Sequence, residues 1–217
     1  MNKVIRVLTI FLTITVTEKI LSVEKNNDKI PTKTVQVGIQ TFQSKNHGRL
    51  LALNFENYPK WHTYWKNPGD AGLPIKHQFL SNNKEVKFQP LEWPSPKKYI
   101  EPGNILAYGY EGSYSLFFKL SNFRNKPLEI RLNWLVCKHI CIPGKITIKG
   151  KVLEDQFKFI SSDNPELSGL EIDKEQLLNH YNNLPKKIAL PSYLDIILAK
   201  NPDKDNSLIL YYNLGSV

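Results

Sequence analysis

Two cysteines, Cys137 and Cys141, are the only thiol-bearing residues of the chain, and they are separated by three residues. Lys138 and His139 lie between them and Lys145 follows shortly after. Positive neighbours stabilise a thiolate, which is the form that attacks and leaves in thiol–disulfide exchange. The pair is therefore a candidate redox couple that cycles between a dithiol and a disulfide, with Lys138 and His139 as modulating residues.

The pattern of apolar residues places this pair at the connection between two strands. Apolar residues occupy every second position before Cys137, at Leu128, Ile130, Leu132, Trp134 and Val136. This alternation predicts a strand with one buried face that ends at Cys137. After Cys141, residues 142–144 (Ile-Pro-Gly) predict a turn, and Ile146 and Ile148 a second strand. Residues that face each other across such a connection have Cβ atoms about 4.5–5.5 Å apart, which permits a disulfide.

A disulfide between these cysteines would close a very small ring. The loop-entropy formula gives about 2 kcal/mol for it, against about 3 kcal/mol for a 15-residue loop. Stability alone is a weak reason for the bond, so exchange is favoured over a structural role. An interaction sandwich with a structural disulfide stays open as an alternative. The reduction potential separates the two, because structural bridges in exported proteins lie below about −300 mV.

A copper-binding module is the second alternative. Cys-x3-Cys on a β-sandwich is also the spacing of a binuclear copper site, and thiolates with imidazoles suit copper. That site needs a histidine soon after the second cysteine and then a methionine, whereas residues 142–145 are Ile-Pro-Gly-Lys and the one methionine is Met1. His62 and His139 could still join the sulfurs in a looser site. No Ser and Asp pattern of a hydrolase accompanies the five histidines, and each is predicted at the surface: His47, His62, His77, His139 and His180.

The first 22 residues differ from the rest of the chain. Lys3 and Arg6 precede a largely apolar stretch at 4–16, and polar sequence begins at Glu18. The stretch is shorter than the roughly 20 apolar residues of a spanning helix, so residues 1–22 predict a signal peptide. An uncleaved anchor remains the alternative, because no small-x-small cleavage site stands out. Export would place the cysteines where a disulfide persists.

The composition predicts a folded chain without nucleic-acid binding. Its 217 residues allow one large domain, or one domain with an appendage, and 41% of them are hydrophobic. The net charge is +9. The basic residues are scattered and form no stripe or run, so nucleic acid is set aside as a partner.

Other short strands indicate an antiparallel sandwich. Alternating or apolar stretches occur at 35–41, 51–55 and 114–120, separated by Pro, Gly and Asn. The middle of the chain is predicted to be rich in aromatic loops, at 61–72, 93–96 and 108–112, which suggests a contact surface. Taken singly, the tryptophans of the first two loops are predicted to be core residues at the sandwich edges: Trp61, Trp65 and Trp93.

Four sequence blocks resemble one known family. They are "WHTYWKNPGDAGLP" at 61–74, "WPSP" at 93–96, "YGYEG" at 108–112 and "WLVCKHICIPG" at 134–144. Their order and content are similar to the periplasmic N-terminal domain of DsbD/ScsB-type thiol:disulfide interchange proteins. The resemblance covers about residues 33–153 and implies a mainly β, immunoglobulin-like antiparallel sandwich.

The resemblance also implies a function and a site. Cys137 and Cys141 match the family's redox pair, which takes electrons from a membrane-embedded reductase domain. The pair passes them to periplasmic thioredoxin-like proteins or cytochrome-maturation factors, as a protein-disulfide reductase. In the DsbD branch an acidic and aromatic cap shields the cysteines. Here the spacing is shorter, as in the ScsB-like branch, and the corresponding residues 96–99 contain no carboxylate, so only Tyr99 carries over as a cap residue.

Three further expectations concern mechanism. The chain has no flavin or nicotinamide fingerprint and no further cysteine, so it is expected to be a relay without a cofactor. Cys141 is expected to attack, because it follows the turn and is nearer Lys145, and Cys137 to resolve. Aromatic residues from the 61–72 and 93–100 segments are expected to gather around the sulfurs, with Tyr99 the nearest cap candidate.

The C-terminal part predicts an appendage of one helix and one strand. Residues 171–183 predict a helix with Asp173 as N-cap, Gln176 at the capping-box position and Pro185 after its end. Its apolar face would carry Leu177, Leu178, Tyr181 and Leu184. We assign 33–153 to the redox sandwich and 154–184 to a linker with this helix. Residues 185–217, with a strand at 208–212, then begin a second, incomplete sandwich or fold back on the first.

Overall fold

The computed structural model describes residues 33–186 together with the backbone of two strands, 195–200 and 208–213. The predicted signal peptide lies outside the described residues. In chain order the first strands are β1 (Val35–Ser44), β2 (Gly48–Asn57), β3 (His62–Gly69), β4 (Lys76–Ser81), β5 (Lys84–Val86), β6 (Gln89–Pro90) and β7 (Lys97–Glu101). They are followed by β8 (Ile105–Glu111), β9 (Ser113–Lys119), β10 (Lys126–Cys137), β11 (Cys141–Val152), β12 (Phe157–Ser162), helix α1 (Lys174–Asn182), β13 (Asp195–Lys200) and β14 (Leu208–Asn213).

Two antiparallel sheets form the sandwich. The smaller sheet has the order β1-β2-β9-β6, and the larger sheet has the order β12-β11-β10-β3-β8-β7 with β4 and β5 attached beside β10. Apolar side chains from both sheets form one buried cluster, to which Phe55 and Leu116 contribute from the smaller sheet and Ile130 and Trp134 from the larger. The predicted mainly β, immunoglobulin-like antiparallel sandwich with a short C-terminal helix is confirmed.

Two segments predicted as loops are strands. Most of 61–72 belongs to β3, and 108–112 lies largely in β8, which pairs with β3. The prediction was wrong because Pro, Gly and Asn were taken as loop signals. Gly109 is instead required by the pairing, since a Cβ at this position would lie 2.1 Å from the carbonyl oxygen of Thr63. The missing side chain lets the two strands approach.

The helix begins later than predicted but with the predicted cap. Asp173 is the N-cap, and its carboxylate accepts a hydrogen bond of 2.7 Å from the backbone N–H of Gln176. Leu177 is buried against the outer face of the smaller sheet, so α1 packs on the sandwich. Leu178, predicted on the same apolar face, is exposed instead. His180 is half-buried beside Ser115, and burial lowers its pKa below the ordinary value.

The two C-terminal strands pair with each other. β14 matches the predicted strand at 208–212, and β13 pairs with it in an antiparallel arrangement. The sequence prediction lacked β13, because the continuous apolar run Ile196-Ile197-Leu198 has no period that separates a strand from a buried helix segment. Within the described parts of the chain, no helix is long and apolar enough to cross a membrane.

Candidate functional site

The cysteines form a disulfide at the tip of the β10–β11 hairpin. Cys137 is the last residue of β10 and pairs with Cys141, the first residue of β11, with their Cα atoms 4.1 Å apart. The backbone N–H of Lys138 donates to the carbonyl of Ile140 at 3.1 Å, which closes the turn. The turn predicted at 142–144 is wrong, because those residues are already part of β11. The three residues between the cysteines are sufficient to reverse the chain.

The disulfide lies on the outer face of the larger sheet, away from the smaller sheet. Val136 is fully buried in the core, and successive side chains of a strand point to opposite faces, so Cys137 points outward. Cys137 is nevertheless only 2% exposed. It is covered by Tyr64 and Ala107, with Tyr99 and Leu135 packed against this cluster. The outer face therefore carries a small apolar cover over one of the two sulfurs.

Tyr64 connects this cover to a carboxylate. Its hydroxyl lies 3.9 Å from the sulfur of Cys141 and donates a hydrogen bond of 2.5 Å to Oε1 of Glu101. The same Oε1 lies 3.1 Å from Nε2 of His62. Burial, and then the hydrogen bond to Glu101, raise the pKa of Tyr64 well above its ordinary value. Tyr64 thus keeps its proton at neutral pH and holds it toward Glu101.

Tyr99, the cap residue expected from the resemblance, lies near the disulfide, and its role as a cap stays a prediction. Tyr99 stacks on His62, with ring centroids 4.3 Å apart, and packs against the cluster that contains Cys137. Burial raises the pKa of Tyr99 to about 12, and the carboxylate of Glu111 adds to this effect. The carboxylate that residues 96–99 lack is supplied by Glu101, two positions further along β7. Aromatic side chains from both predicted segments therefore meet near the disulfide.

Sequence reasoning did not single out Tyr64 or Glu101, and it considered His62 near the sulfurs only as a ligand of the copper alternative. His62 was predicted at the surface but is buried, because it lies directly beside Cys137 in the sheet. A signal was available in the spacing, since His62 and Tyr64 are two residues apart, as are Tyr99 and Glu101. Once β3 and β7 are recognised as strands, this period of two places each pair on one face.

The tryptophans of these segments belong to the core. Trp61 is buried in the main apolar cluster, and Trp65 and Trp93 are packed against it. This agrees with the prediction for each residue taken singly. The aromatic contact to a sulfur comes from tyrosine instead.

The basic residues that are near the cysteines in sequence differ in exposure and in distance from the sulfurs. His139 is exposed and Lys138 half-buried in the hairpin turn. Lys145, however, pairs with Asn133, four positions along β11 from Cys141, which is about 13 Å at the usual rise of a strand. Its expected place beside the sulfurs was therefore wrong. The influence of Lys138 and His139 on the cysteines stays a prediction.

The two cysteines differ in exposure. Cys141 is exposed, whereas Cys137 is almost fully buried. A reagent or protein that approaches the outer face therefore meets Cys141 before Cys137. The geometry can therefore support an asymmetric exchange reaction, in which one sulfur meets the partner and the other stays covered.

The described residues show no constellation for the copper alternative. Among them, no group of three or more His, Cys, Asp and Glu side chains could hold a metal ion. His62, considered as an additional ligand, directs its Nε2 to Glu101. No observation favours a metal site at the cysteines.

Comparison with known proteins gives one family match. The family described as "Thiol:disulfide interchange protein DsbD, N-terminal" matches residues 32–151, which is more than half of the chain. A search among curated protein sequences gave no match.

Two solved structures are similar to the chain. One is the N-terminal periplasmic domain of ScsB from Proteus mirabilis, with 18% identity, a TM-score of 0.48, and coverage of 75% of this chain and 57% of that one. The other is the DsbD N-terminal domain of Neisseria meningitidis in the reduced form, with 10% identity, a TM-score of 0.40, and coverage of 58% of this chain and 90% of that one. The present chain thus spans little more than half of the ScsB domain.

Proposed function

Because this chain belongs to the family of DsbD N-terminal domains, which are thiol:disulfide interchange domains, we propose that Cys137 and Cys141 are its redox-active pair. The single observation that carries the proposal is the Cys137–Cys141 disulfide, in which Cys141 is an exposed residue and Cys137 is almost fully buried. The proposed activity is that of a protein-disulfide reductase that acts as a relay. It uses protein dithiols and disulfides as its only reactants and needs no cofactor.

In the first half of the relay the disulfide accepts two electrons. A thiolate of a donor protein attacks the sulfur of Cys141, the Cys137–Cys141 bond breaks, and Cys137 leaves as a thiolate that takes up a proton. The second thiol of the donor then attacks the mixed disulfide and releases Cys141. The donor ends as a disulfide and this chain as a dithiol.

In the second half the reactants change roles. The thiolate of Cys141 attacks the disulfide of an acceptor protein and forms a mixed disulfide, while the acceptor's other sulfur leaves as a thiolate. Cys137 then attacks Cys141, restores the original disulfide and releases the acceptor as a dithiol. Cys141 is assigned the attacking role because it is the exposed cysteine. Lys145 does not support this role, since it lies four positions further along β11.

The proposed donor is a membrane-embedded disulfide reductase domain. The proposed acceptors are thioredoxin-like proteins or cytochrome-maturation factors in the periplasm. The family assignment and the predicted signal peptide at 1–22 support this location and these partner classes. We retain as a proposal the division into a redox sandwich at 33–153, a linker with helix at 154–184, and the beginning of a second sandwich at 185–217.

The double variant Cys137→Ser, Cys141→Ser is expected to remain folded and to lose all exchange activity. The small ring contributes only about 2 kcal/mol to the free energy of unfolding, so the melting temperature should fall by about 4–8 °C. Thermal unfolding followed by circular dichroism measures the first effect. Reduction of hydroxyethyl disulfide by the pre-reduced protein measures the second, with one equivalent expected for the unchanged chain and none for the variant.

Reduced wild-type protein is the matched control for stability, because it also lacks the ring. Its melting temperature should be close to that of the double variant. A double variant that is unfolded at room temperature would show that the bridge is structural and that the proposed exchange function is wrong.

A further inference from the structure

A groove lies on the outer face of the larger sheet, in line with the disulfide. On one side, β10 pairs with two different strands. β3 pairs with it only beside the cysteines, and β4 pairs with it from Asn133 back to Glu129. The groove forms between these two pairings. The segment between β3 and β4 crosses this place, and Pro74 forms a bridge to Tyr64. The resulting cavity has a volume of about 540 Å³.

The strand register fixes the distance from the sulfurs to this groove. Moving away from Cys141 along the outer face, the next outward residue of β11 is Pro143, opposite Leu135, and the one after it is Lys145, opposite Asn133. Lys145 is four positions from Cys141, or about 13 Å. An extended segment that runs along the hairpin from the disulfide would thus reach Lys145 with its fourth residue.

The groove combines apolar walls with positive charge. Leu73, Pro74 and Pro143 line it, and Leu73 is 58% exposed, although it is a large apolar residue. Lys76 and Lys145 lie at the two sides of Asn133 in one row of the sheet. Both lysines are exposed, and within the described part of the chain no carboxylate lines the groove.

We infer that this groove binds an extended segment of the exchange partner that carries an apolar residue and, four residues from the partner's redox cysteine, a carboxylate. The apolar residue covers Leu73 and Pro143, and the carboxylate lies between Lys76 and Lys145. This inference rests on the proposed function, because it takes the disulfide as the place where the partner's cysteine binds. Charge complementarity of this kind acts mainly on the rate of association and on the choice of partner.

Peptide disulfides provide the test. The probes are nine-residue peptides with a central cysteine activated as a mixed disulfide with thionitrobenzoate, a leucine at each second position from it, and either Glu or Lys at each fourth position. The thiolate of Cys141 in the pre-reduced chain attacks the peptide sulfur, and thionitrobenzoate leaves as a coloured thiolate. Cys137 then releases the peptide thiol and restores the disulfide. The rate of colour release is the readout.

At low ionic strength the Glu peptide is expected to react about tenfold faster than the Lys peptide, and added salt should reduce the difference. The variant Lys76→Glu, Lys145→Glu should abolish or reverse this preference. The control Lys151→Glu, Lys158→Glu, with the same change of net charge at the far end of β11 and β12, should retain it. The variant Leu73→Ser should slow both peptides equally.

Equal rates for the two peptides, or an equal loss of preference in the control variant, would overturn the groove assignment. Hydroxyethyl disulfide, which is small and neutral, separates this failure from failure of the exchange function. Its reduction should proceed at the same rate in all variants. If the unchanged chain does not reduce it, the proposed function itself is wrong.

Discussion

The variant Cys137→Ser is expected to form a stable mixed disulfide with a thioredoxin-like protein through Cys141, whereas Cys141→Ser is expected to form little. The reason is the difference in exposure, since Cys141 is exposed and Cys137 is only 2% exposed. In Cys137→Ser the resolving thiol is absent, so the adduct persists. The yield, measured on non-reducing gels after a fixed time, should differ by about tenfold or more.

The probe for this experiment is a thioredoxin-like protein whose buried active-site cysteine is replaced by serine. Its remaining cysteine is activated with thionitrobenzoate, so that no second thiol can reverse the adduct. In denaturant both variants should react equally with the symmetrical disulfide of thionitrobenzoate. Equal reaction shows that each variant retains one reactive thiol. A higher yield from Cys141→Ser would exchange the roles of the two cysteines, and no adduct from either variant would contradict the relay.

Removal of the charge of Glu101 is expected to accelerate the reaction of the Cys141 thiol. The hydroxyl of Tyr64 lies 2.5 Å from the carboxylate of Glu101 and 3.9 Å from the sulfur of Cys141, so both groups flank one hydroxyl. A nearby negative charge disfavours the thiolate, and the carboxylate also directs the Tyr64 proton away from the sulfur. The substitution Glu101→Gln keeps a hydrogen-bond acceptor for Tyr64 but removes this repulsion.

The measurement is alkylation by iodoacetamide at neutral pH in the Cys137→Ser background, where Cys141 is the only thiol. Glu101→Gln should raise the rate by roughly tenfold, because loss of the charge increases the fraction of Cys141 that is present as the reactive thiolate. Glu111→Gln is the matched control, because this carboxylate is partly exposed and pairs with Lys97 at 3.7 Å. It should change the rate by no more than about twofold. An unchanged or slower rate in Glu101→Gln would show that the carboxylate does not restrain the sulfur.

The β10–β11 hairpin could be predicted because its signal is local. Apolar residues at every second position define the face of β10, and the cysteines mark its end. The helix cap at Asp173 could be predicted for the same reason, since Gln176 is only three residues away. These features depend on neighbours in the chain and on general stereochemical preferences.

The surroundings of the sulfurs could not be predicted because they depend on pairing between distant residues. Glu101 contacts Tyr64 across 37 positions of sequence, and Tyr64 contacts Cys141 across 77. The first contact requires β3, β8 and β7 to lie side by side, and the second requires β3 to pair with the end of the β10–β11 hairpin. The sequence did not predict β3 as a strand, because Asn67, Pro68 and Gly69 are typical of a loop, although they belong to β3.

The central claim is that the Cys137–Cys141 disulfide is poised for exchange, and its reduction potential tests this most directly. The full chain is equilibrated in graded thiol buffers, free thiols are trapped with a maleimide that changes gel mobility, and Cys137→Ser, Cys141→Ser serves as the blank. We expect half-reduction at a potential above about −300 mV. A pair that stays oxidised in buffers poised below about −300 mV would contradict the claim and identify a structural bridge.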